Sequence, residues 1–181
     1  MRVFDFDGTI YDGESLFDLY LYSARHDPKV FRFIAPVLRY AVKYKLGRAT
    51  LEQMEYGVGR MAEGYLTELN RSRRVASVEQ LVNDFWDRNY SRIKPWYQPE
   101  PDDVILTASF DLTVGEACCR LGVRNLVASK VDMETMKVTY LNFNTNKARR
   151  FRELYGPDAV VDEFYTDSRF DQPMIDMARR A

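Results

Sequence analysis

The spacing of apolar residues divides the chain into three parts. Residues 2–6 form a short β-branched and aromatic run that ends at Asp7-Gly8-Thr9, which is typical of a buried strand followed by a tight turn. From residue 14 to about residue 94 apolar residues recur with helical spacing, and no strand is predicted. After Pro101 compact apolar runs alternate with helical segments again. The pattern predicts an α/β fold that one helical block interrupts.

The same pattern gives the bounds of the predicted elements. The predicted helices are 14–25, 28–46, 50–62, 78–93, 111–121, 145–155 and 171–180. A polar connection is expected at 67–77, with room for one short helix at 66–70. The later predicted strands are 104–107, 125–129 and 160–165, and residues 131–143 alternate well enough for a β-hairpin.

The composition narrows the class of protein. The chain has 181 residues, of which 46% are hydrophobic and 29% charged, so it can bury a core and intrinsic disorder is excluded. Its 26 basic and 27 acidic residues give a net charge of -1, so no global field draws it onto nucleic acid. The most apolar stretch, 30–46, contains four basic residues and is too charged to span a bilayer. We expect no nucleic-acid partner and no membrane insertion.

The cysteines and the first residues indicate a reducing compartment. Cys118 and Cys119 are adjacent on a predicted helix, where neighbouring side chains diverge, so a disulfide between them is unfavourable. The opening MRVFDFDGTI lacks the apolar core and cleavage site of a signal peptide. We therefore expect a cytoplasmic protein with reduced thiols.

Two carboxylates at the end of the first predicted strand carry the strongest chemistry. Asp5 and Asp7 are two residues apart, so on an extended strand they point to the same side. A hard divalent cation such as Mg²⁺ takes oxygen ligands and would offset their repulsion. Ligands of open parallel sheets bind beyond the carboxyl ends of the strands, where this pair lies. The alternative is a turn in which Asp7-Gly8 serves only local geometry.

Polar residues also end or follow the later predicted strands. Thr107 and Ser109 offer donors to a phosphoryl oxygen, and Lys147 opens a helix where a positive charge suits phosphate. Asp167 and Asp171 form a second acidic pair for a metal and its waters. Taken singly, Thr107 and Ser109 fit strand-end caps, Lys147 fits a surface lysine and Asp171 fits a helix N-cap. Together, at successive strand ends, they indicate one site.

These residues lie in four motifs that resemble those of the haloacid dehalogenase superfamily, in its phosphoserine-phosphatase-like branch, subfamily IB. The motifs are DFDGT at 5–9, ILTAS at 105–109, NKARRF around Lys147 and YTDSRFDQPMIDMA at 165–178. The resemblance covers nearly the whole chain. It implies a Rossmann-like parallel sheet core of residues 1–13 and 99–181, with an all-helical cap of residues 14–98 inserted between the first and second core strands. Relatives usually continue into another strand after the fourth motif, so we expect a truncated chain or a sheet one strand short.

The resemblance implies a two-step phosphoryl transfer. Asp5 would attack phosphorus and form an aspartyl-phosphate. Asp7 would protonate the leaving alkoxide and then activate the water that hydrolyses the intermediate. Thr107 and Lys147 would hold the phosphoryl oxygens and offset the charge of the transition state. An Asp two positions after the nucleophile points to a phosphatase rather than a dehalogenase.

The resemblance also implies a metal and a substrate class. Mg²⁺ would be held by the carboxylates of Asp5 and Asp167 and the main-chain carbonyl of Asp7, with Asp171 orienting its waters. The substrate would be a small phosphorylated metabolite. Aromatic residues of the cap helices either line a pocket for an apolar or aromatic substrate or form the cap's own core. The remaining expected substrate contacts are Gly8, Thr9, Glu14, Ala108 and Ser109, with Glu14 at the position where phosphoserine phosphatases read an amino group.

Three other functions fit part of this pattern. A phosphotransferase would pass the aspartyl-phosphate to an alcohol rather than to water. A receiver-like signalling module also groups acids, a hydroxyl and a lysine around Mg²⁺, but its acceptor aspartate is not on the first strand and it lacks a helical insertion of this size. A scaffold that keeps the fold without turnover would be supported by the loss of a catalytic residue, and none is missing. The sequence does not predict an oligomeric state.

Overall fold

Six strands form one sheet in the order β4-β3-β2-β1-β5-β6. The computed structural model describes all 181 residues. Neighbouring strands are parallel, except that β4 runs antiparallel to β3. The strands are β1 (Arg2–Phe4), β2 (Val104–Phe110), β3 (Asn125–Asp132), β4 (Lys137–Tyr140), β5 (Val161–Tyr165) and β6 (Ala178–Arg180). The predicted α/β fold class is confirmed.

Four of the seven helices lie between β1 and β2. The helices are α1 (Ser15–His26), α2 (Ile34–Lys45), α3 (Leu51–Arg71), α4 (Val78–Asn89), α5 (Asp111–Leu121), α6 (Thr145–Tyr155) and α7 (Gln172–Ile175), with 3-10 turns at Pro28–Phe33, Tyr90–Arg92 and Arg169–Asp171. We call residues 15–92 the helical insertion. No helix has both the length and the apolar character that crossing a membrane requires.

The two faces of the sheet are buried in different hydrophobic clusters because side chains alternate along each strand. Phe4 and Ile105 face the helical insertion and α5, in a cluster of 27 buried residues. Val3, Val104 and Leu106 face the other side, in a cluster of 9 buried residues with α6. The helical insertion therefore shares its core with one face of the sheet.

Close packing brings α2 and the turn before it against α3. A Cβ on Gly57 would lie 2.5 Å from the ring of Tyr40, and one on Gly64 would lie 2.6 Å from the ring of Phe33. Both glycines lie inside α3, where glycine has low helix propensity. The approach of two aromatic rings explains why these positions lack a side chain.

The two chain segments that join the helical insertion to the sheet are bonded to each other. The amide of Asp12 donates to the carbonyl of Arg92 over 2.9 Å, and the amide of Lys94 donates to the carbonyl of Ile10 over 2.8 Å. The Arg92 guanidinium also donates to Asp18 over 2.8 Å. The helical insertion thus leaves and rejoins the sheet at neighbouring points of the backbone.

Several predicted elements differ from the structure. The predicted final helix at 171–180 is wrong, because it is replaced by the short α7 and by β6, which pairs with β5. The expectation of a sheet that lacks a strand after the fourth motif is therefore also wrong. Helix α3 extends to Arg71, into the first part of the predicted polar connection, because Leu66 and Leu69 are buried against the core. Strand β2 continues past Thr107 to Phe110.

Candidate active site

The carboxyl ends of β1, β2 and β5 meet in one crevice. β1 lies at the centre of the sheet, and the chain returns to it on both sides, so it borders the point where ligands bind in such sheets. The amide of Asp5 donates to the carbonyl of Tyr165 over 2.8 Å, which fixes the end of β1 against β5. The segments that follow these strands bring the candidate residues together.

A buried lysine lies between two buried carboxylates. The Nζ atom of Lys147 donates to Asp5 Oδ1 over 3.1 Å and lies 2.8 Å from the carboxylate of Asp171. Thr166 also donates to Asp171, over 2.9 Å. Burial alone would lower the pKa of Lys147, but the two carboxylates outweigh it and raise that pKa. Lys147 is therefore a fixed positive charge beside Asp5.

The second carboxylate of the DFDGT motif is held by two donors. Ser109 Oγ donates to Asp7 Oδ2 over 2.6 Å, and the amide of Ser15 donates to Asp7 Oδ1 over 2.6 Å. Burial raises the pKa of Asp7 against the opposing effect of these hydrogen bonds. A carboxyl group held in place by two donors can accept a proton and give it up at a fixed position.

The backbone around Thr107 is fixed by residues that the sequence did not indicate. Thr107 is fully buried, and its Oγ1 accepts from the amide of Ser109 over 3.1 Å. Asn142 Nδ2 donates to the carbonyl of Thr107 over 2.9 Å, and Ser129 Oγ donates to the carbonyl of Ala108 over 2.6 Å. Here the pairing of β2 with β3 is irregular, so side chains replace the missing ladder bonds. A lone Asn or Ser between strands carries no pattern that would reveal this role.

The turn after β1 holds Gly8 and Thr9 close to Asp167. Gly8 has a φ of 71°, and a Cβ there would overlap the Asp167 carboxylate, so glycine is required on both counts. The Thr9 hydroxyl is buried without a hydrogen-bond partner, which leaves it available to a bound group. Lys94 Nζ donates to the carbonyl of Gly8, a contact that sequence analysis missed.

Glu14 lies at the rim of this group of residues. Its side chain is largely exposed, yet partial burial and the neighbouring Asp7 and Asp167 raise its pKa. Its side chain forms no hydrogen bond, and the charged groups that act on it are other acids.

Lys147 is carried by α6, whose start is strained. The residue before the helix, Asn144, has φ 52° and ψ -125°, a combination that favours glycine. Asn144 Nδ2 donates to the hydroxyl of Tyr44 in the helical insertion over 3.3 Å. The turn that sets the position of Lys147 is thus tied to α2.

The donor chemistry of the site fits a divalent cation. The Lys147 ammonium contacts the carboxylates of Asp5 and Asp171, and Asp7 and Asp167 follow the same two strands, so the acidic groups outnumber the one buried ammonium. Burial, together with Asp171 and Asp7, raises the pKa of Asp5 to about 7 against the effect of Lys147. As the side chains stand, no three acidic, histidine or cysteine residues are grouped to hold a metal ion. Oxygen donors with excess negative charge are nevertheless the set that Mg²⁺ takes in proteins.

One family model matches almost the whole chain. The family is described as haloacid dehalogenase-like hydrolase, and the match spans residues 3–176. No curated protein matches the sequence.

Solved structures share the fold at low sequence identity. A protein of unknown function from Bordetella pertussis Tohama I has a TM-score of 0.58 and 18% identity, over 97% of this chain and 85% of that chain. A HAD family hydrolase from Salmonella enterica subsp. enterica serovar Typhi has a TM-score of 0.60 and 12% identity, over 98% of this chain and 59% of that chain. A phosphoserine phosphohydrolase-like protein from Francisella tularensis subsp. tularensis SCHU S4 has a TM-score of 0.48 and 15% identity, over 97% and 82%. The first two likenesses show the same fold.

Proposed function

Because the chain belongs to the haloacid dehalogenase-like hydrolase family, we propose that it is a Mg²⁺-dependent phosphatase that hydrolyses a small phosphomonoester through an aspartyl-phosphate. The observation that carries this proposal is the pairing of two differently held carboxylates at the end of β1. Asp5 lies against a buried ammonium, and Asp7 lies against a hydroxyl and an amide. One is suited to attack and the other to proton transfer.

Asp5 is the proposed nucleophile. Its Oδ1 accepts from Lys147, which leaves Oδ2 without a side-chain donor and free to bond to phosphorus. A carboxylate that takes the phosphoryl group splits the hydrolysis into two steps of lower barrier. The ammonium of Lys147 would favour the ionised carboxylate and offset the charge on the phosphoryl oxygens.

Asp7 is the proposed acid and base. In the protonated form it would give a proton to the leaving alkoxide, and the resulting carboxylate would then take a proton from the attacking water; burial, which raises its pKa, favours the protonated form. Ser109 and Ser15 fix both oxygens, so the carboxyl group does not rotate away between the two steps. The donors proposed to bind the phosphoryl oxygens are the buried hydroxyl of Thr9, the backbone amides around Ala108 and the hydroxyl of Thr107.

Mg²⁺ would be held by oxygen atoms of Asp5, Asp7 and Asp167, with Asp171 acting on its waters. When bound, it would supply positive charge that neutralises phosphoryl oxygens. Asp171 already accepts from Lys147 and Thr166, so its carboxylate has a fixed orientation. We further propose that residues 14–98 act as a cap over the core formed by 1–13 and 99–181, and that the cap excludes water during transfer.

The first test is phosphate release from small phosphomonoesters, phosphoserine included, with Mg²⁺ or with EDTA. Asp5→Asn should abolish release, and Asp12→Asn is the matched control because Asp12 is an exposed aspartate whose side chain bonds to nothing. Metal-dependent release that is lost only in Asp5→Asn supports the proposal. Equal release by Asp5→Asn and wild type would refute the nucleophile assignment.

A second test separates the two steps. Asp7→Asn should release about one equivalent of nitrophenol rapidly from 4-nitrophenyl phosphate and then stall, because a good leaving group does not need a proton but hydrolysis of the intermediate still needs a base. Acid-quenched protein should then carry phosphate. Steady turnover at the wild-type rate would contradict the role of Asp7.

A further inference from the structure

Two apolar chambers border the strand segment that contains Ser109, and Val58 of α3 lines both. The first has a volume of about 320 Å³ and the second about 360 Å³. Ala108 lines the first and Phe110 lines the second, while Ser109 between them donates to Asp7. Each chain neighbour of the serine that bonds to Asp7 therefore lines an apolar space.

The first chamber is bordered by α2, by α3 and by segments that carry site residues. Its walls include Val42 and Tyr44 of α2, Val58 of α3, and Ala108, Phe143 and Phe170 of the sheet side. Ala108 lies between Thr107 and Ser109, and Phe170 is adjacent to Asp171. The strand-end segments that carry Thr107 and Asp171 thus each contribute one apolar wall, which places the first chamber beside these two site residues.

Three aromatic rings join the helical insertion to the sheet at this chamber. The rings of Phe143 and Phe170 are 5.3 Å apart, and each is 5.8 Å from the ring of Tyr44. Such spacings are those of packed aromatic pairs. Polar substrate groups such as an amine with a carboxylate would find no partner among them, and burying them unpaired is unfavourable.

The charges around the first chamber suit an anionic ester with an apolar body. Lys45 is the only charged residue in its wall. Residues 28–51 contain six basic residues and no acidic residue, although the chain as a whole has a net charge of -1. A larger cavity of about 400 Å³ between α3 and β4 has charged walls, but it contains none of the site residues.

We infer that the first chamber binds the alcohol part of the substrate, and that this part is apolar. The inference rests on the proposed phosphatase function and names its substrate class: a phosphomonoester of an alkyl or aryl alcohol. At roughly 30 Å³ for each non-hydrogen atom, the share of one water molecule in the liquid, the chamber holds on the order of ten such atoms. Phosphoserine, whose alcohol part is a zwitterion, is a poor fit.

The test is a homologous series of methyl, butyl and octyl phosphate, with phosphoserine beside it and Asp5→Asn as the blank. We expect kcat/KM to rise about fourfold for each added methylene that the chamber buries. Cyclohexyl and phenyl phosphate, which have the same number of carbon atoms, then distinguish an alkyl from an aryl alcohol. A flat series, or a preference for phosphoserine, would overturn the inference while phosphatase activity stood.

A matched pair of variants locates the binding chamber. Val42 and Leu38 are both on α2 and are 54% and 51% exposed, but Val42 lines the first chamber and Leu38 the second. Val42→Asp should lower the ratio of octyl to methyl phosphate turnover at least tenfold, and Leu38→Asp should leave that ratio unchanged. The reverse result would refute the choice of chamber. If no compound releases phosphate in a reaction that depends on Asp5, the phosphatase proposal itself is refuted, and the inference with it.

Discussion

Replacing Lys147 by methionine tests whether its buried ammonium compensates the negative charge of Asp5 and Asp171. Lys147 is 2% exposed, and its Nζ contacts Asp5 and Asp171, which are themselves buried. Methionine keeps the unbranched shape of the side chain and removes the charge. The two carboxylates then lie buried without their cation.

The expected loss of stability is large. Removing one partner of a buried ion pair destabilises a protein by about 3–5 kcal/mol. For a domain of this length each kcal/mol lowers Tm by about 2–4 °C, so we expect a decrease of roughly 6–20 °C. Urea unfolding in EDTA at pH 8 measures the difference in the free energy of unfolding.

The pH dependence identifies the cause. At pH 8 the wild-type protein pairs Lys147 with ionised Asp5, whose pKa is about 7, whereas at pH 5 Asp5 carries a proton and needs no buried cation. The destabilisation should therefore be clearly smaller at pH 5, and Asp171→Asn in the same chain should recover part of the loss at pH 8. Equal destabilisation at both pH values would mean that lost packing, and not lost charge, is responsible.

Three further predictions concern stability in metal-free protein. The pKa of Asp5 is raised from 3.8 to about 7, so the folded state binds this proton more tightly than the unfolded chain does. The free energy of unfolding should therefore fall as pH rises from about 4 to 7, by at most about 1.4 kcal/mol per pH unit. Asp5→Asn should flatten that profile in urea titrations. Gly57→Ala should lower Tm because the added Cβ would lie 2.5 Å from the ring of Tyr40. Gly59→Ala should raise stability by about 0.5–1 kcal/mol, because the nearest atom to the added Cβ is 3.9 Å away. A change of the same sign in both variants would refute the packing argument. Asn144→Gly should relieve a backbone strain of about 1–3 kcal/mol and raise Tm, and a lower Tm would mean that the bond to Tyr44 matters more.

Local patterns predict the elements that local interactions determine. Helices α5 and α6 begin and end at the predicted residues, because each has apolar residues at helical spacing and ends next to a glycine. The end of the chain differs because QPMIDMARR has a helical spacing of apolar residues. There Ala178 pairs with Val161 and Arg180 with Glu163, so distant strand pairing replaces the predicted helix.

The residues of the candidate site also divide into those that the local sequence predicts and those that it does not. Asp5, Asp7, Lys147 and Asp171 follow strands or open a helix, so their positions along the chain indicate their convergence. The polar residues that hold them, such as Asn142, act across strands and have no pattern of their own in the sequence. Contacts that depend on the relative placement of two elements cannot be read from one of them.

The central position of β1 has a consequence for the order of folding. Val3 pairs with Val104 on one side and with Phe164 on the other, so the first strand to be synthesised must wait for partners from much later in the chain. Contacts of this kind have a high loop-closure cost and slow folding, whereas helices such as α2 and α3 meet neighbours that are close in sequence. During synthesis the helical insertion can therefore assemble before the strand that carries Asp5 has a sheet to join. The crevice that holds the candidate active site is then among the last parts of the molecule to form.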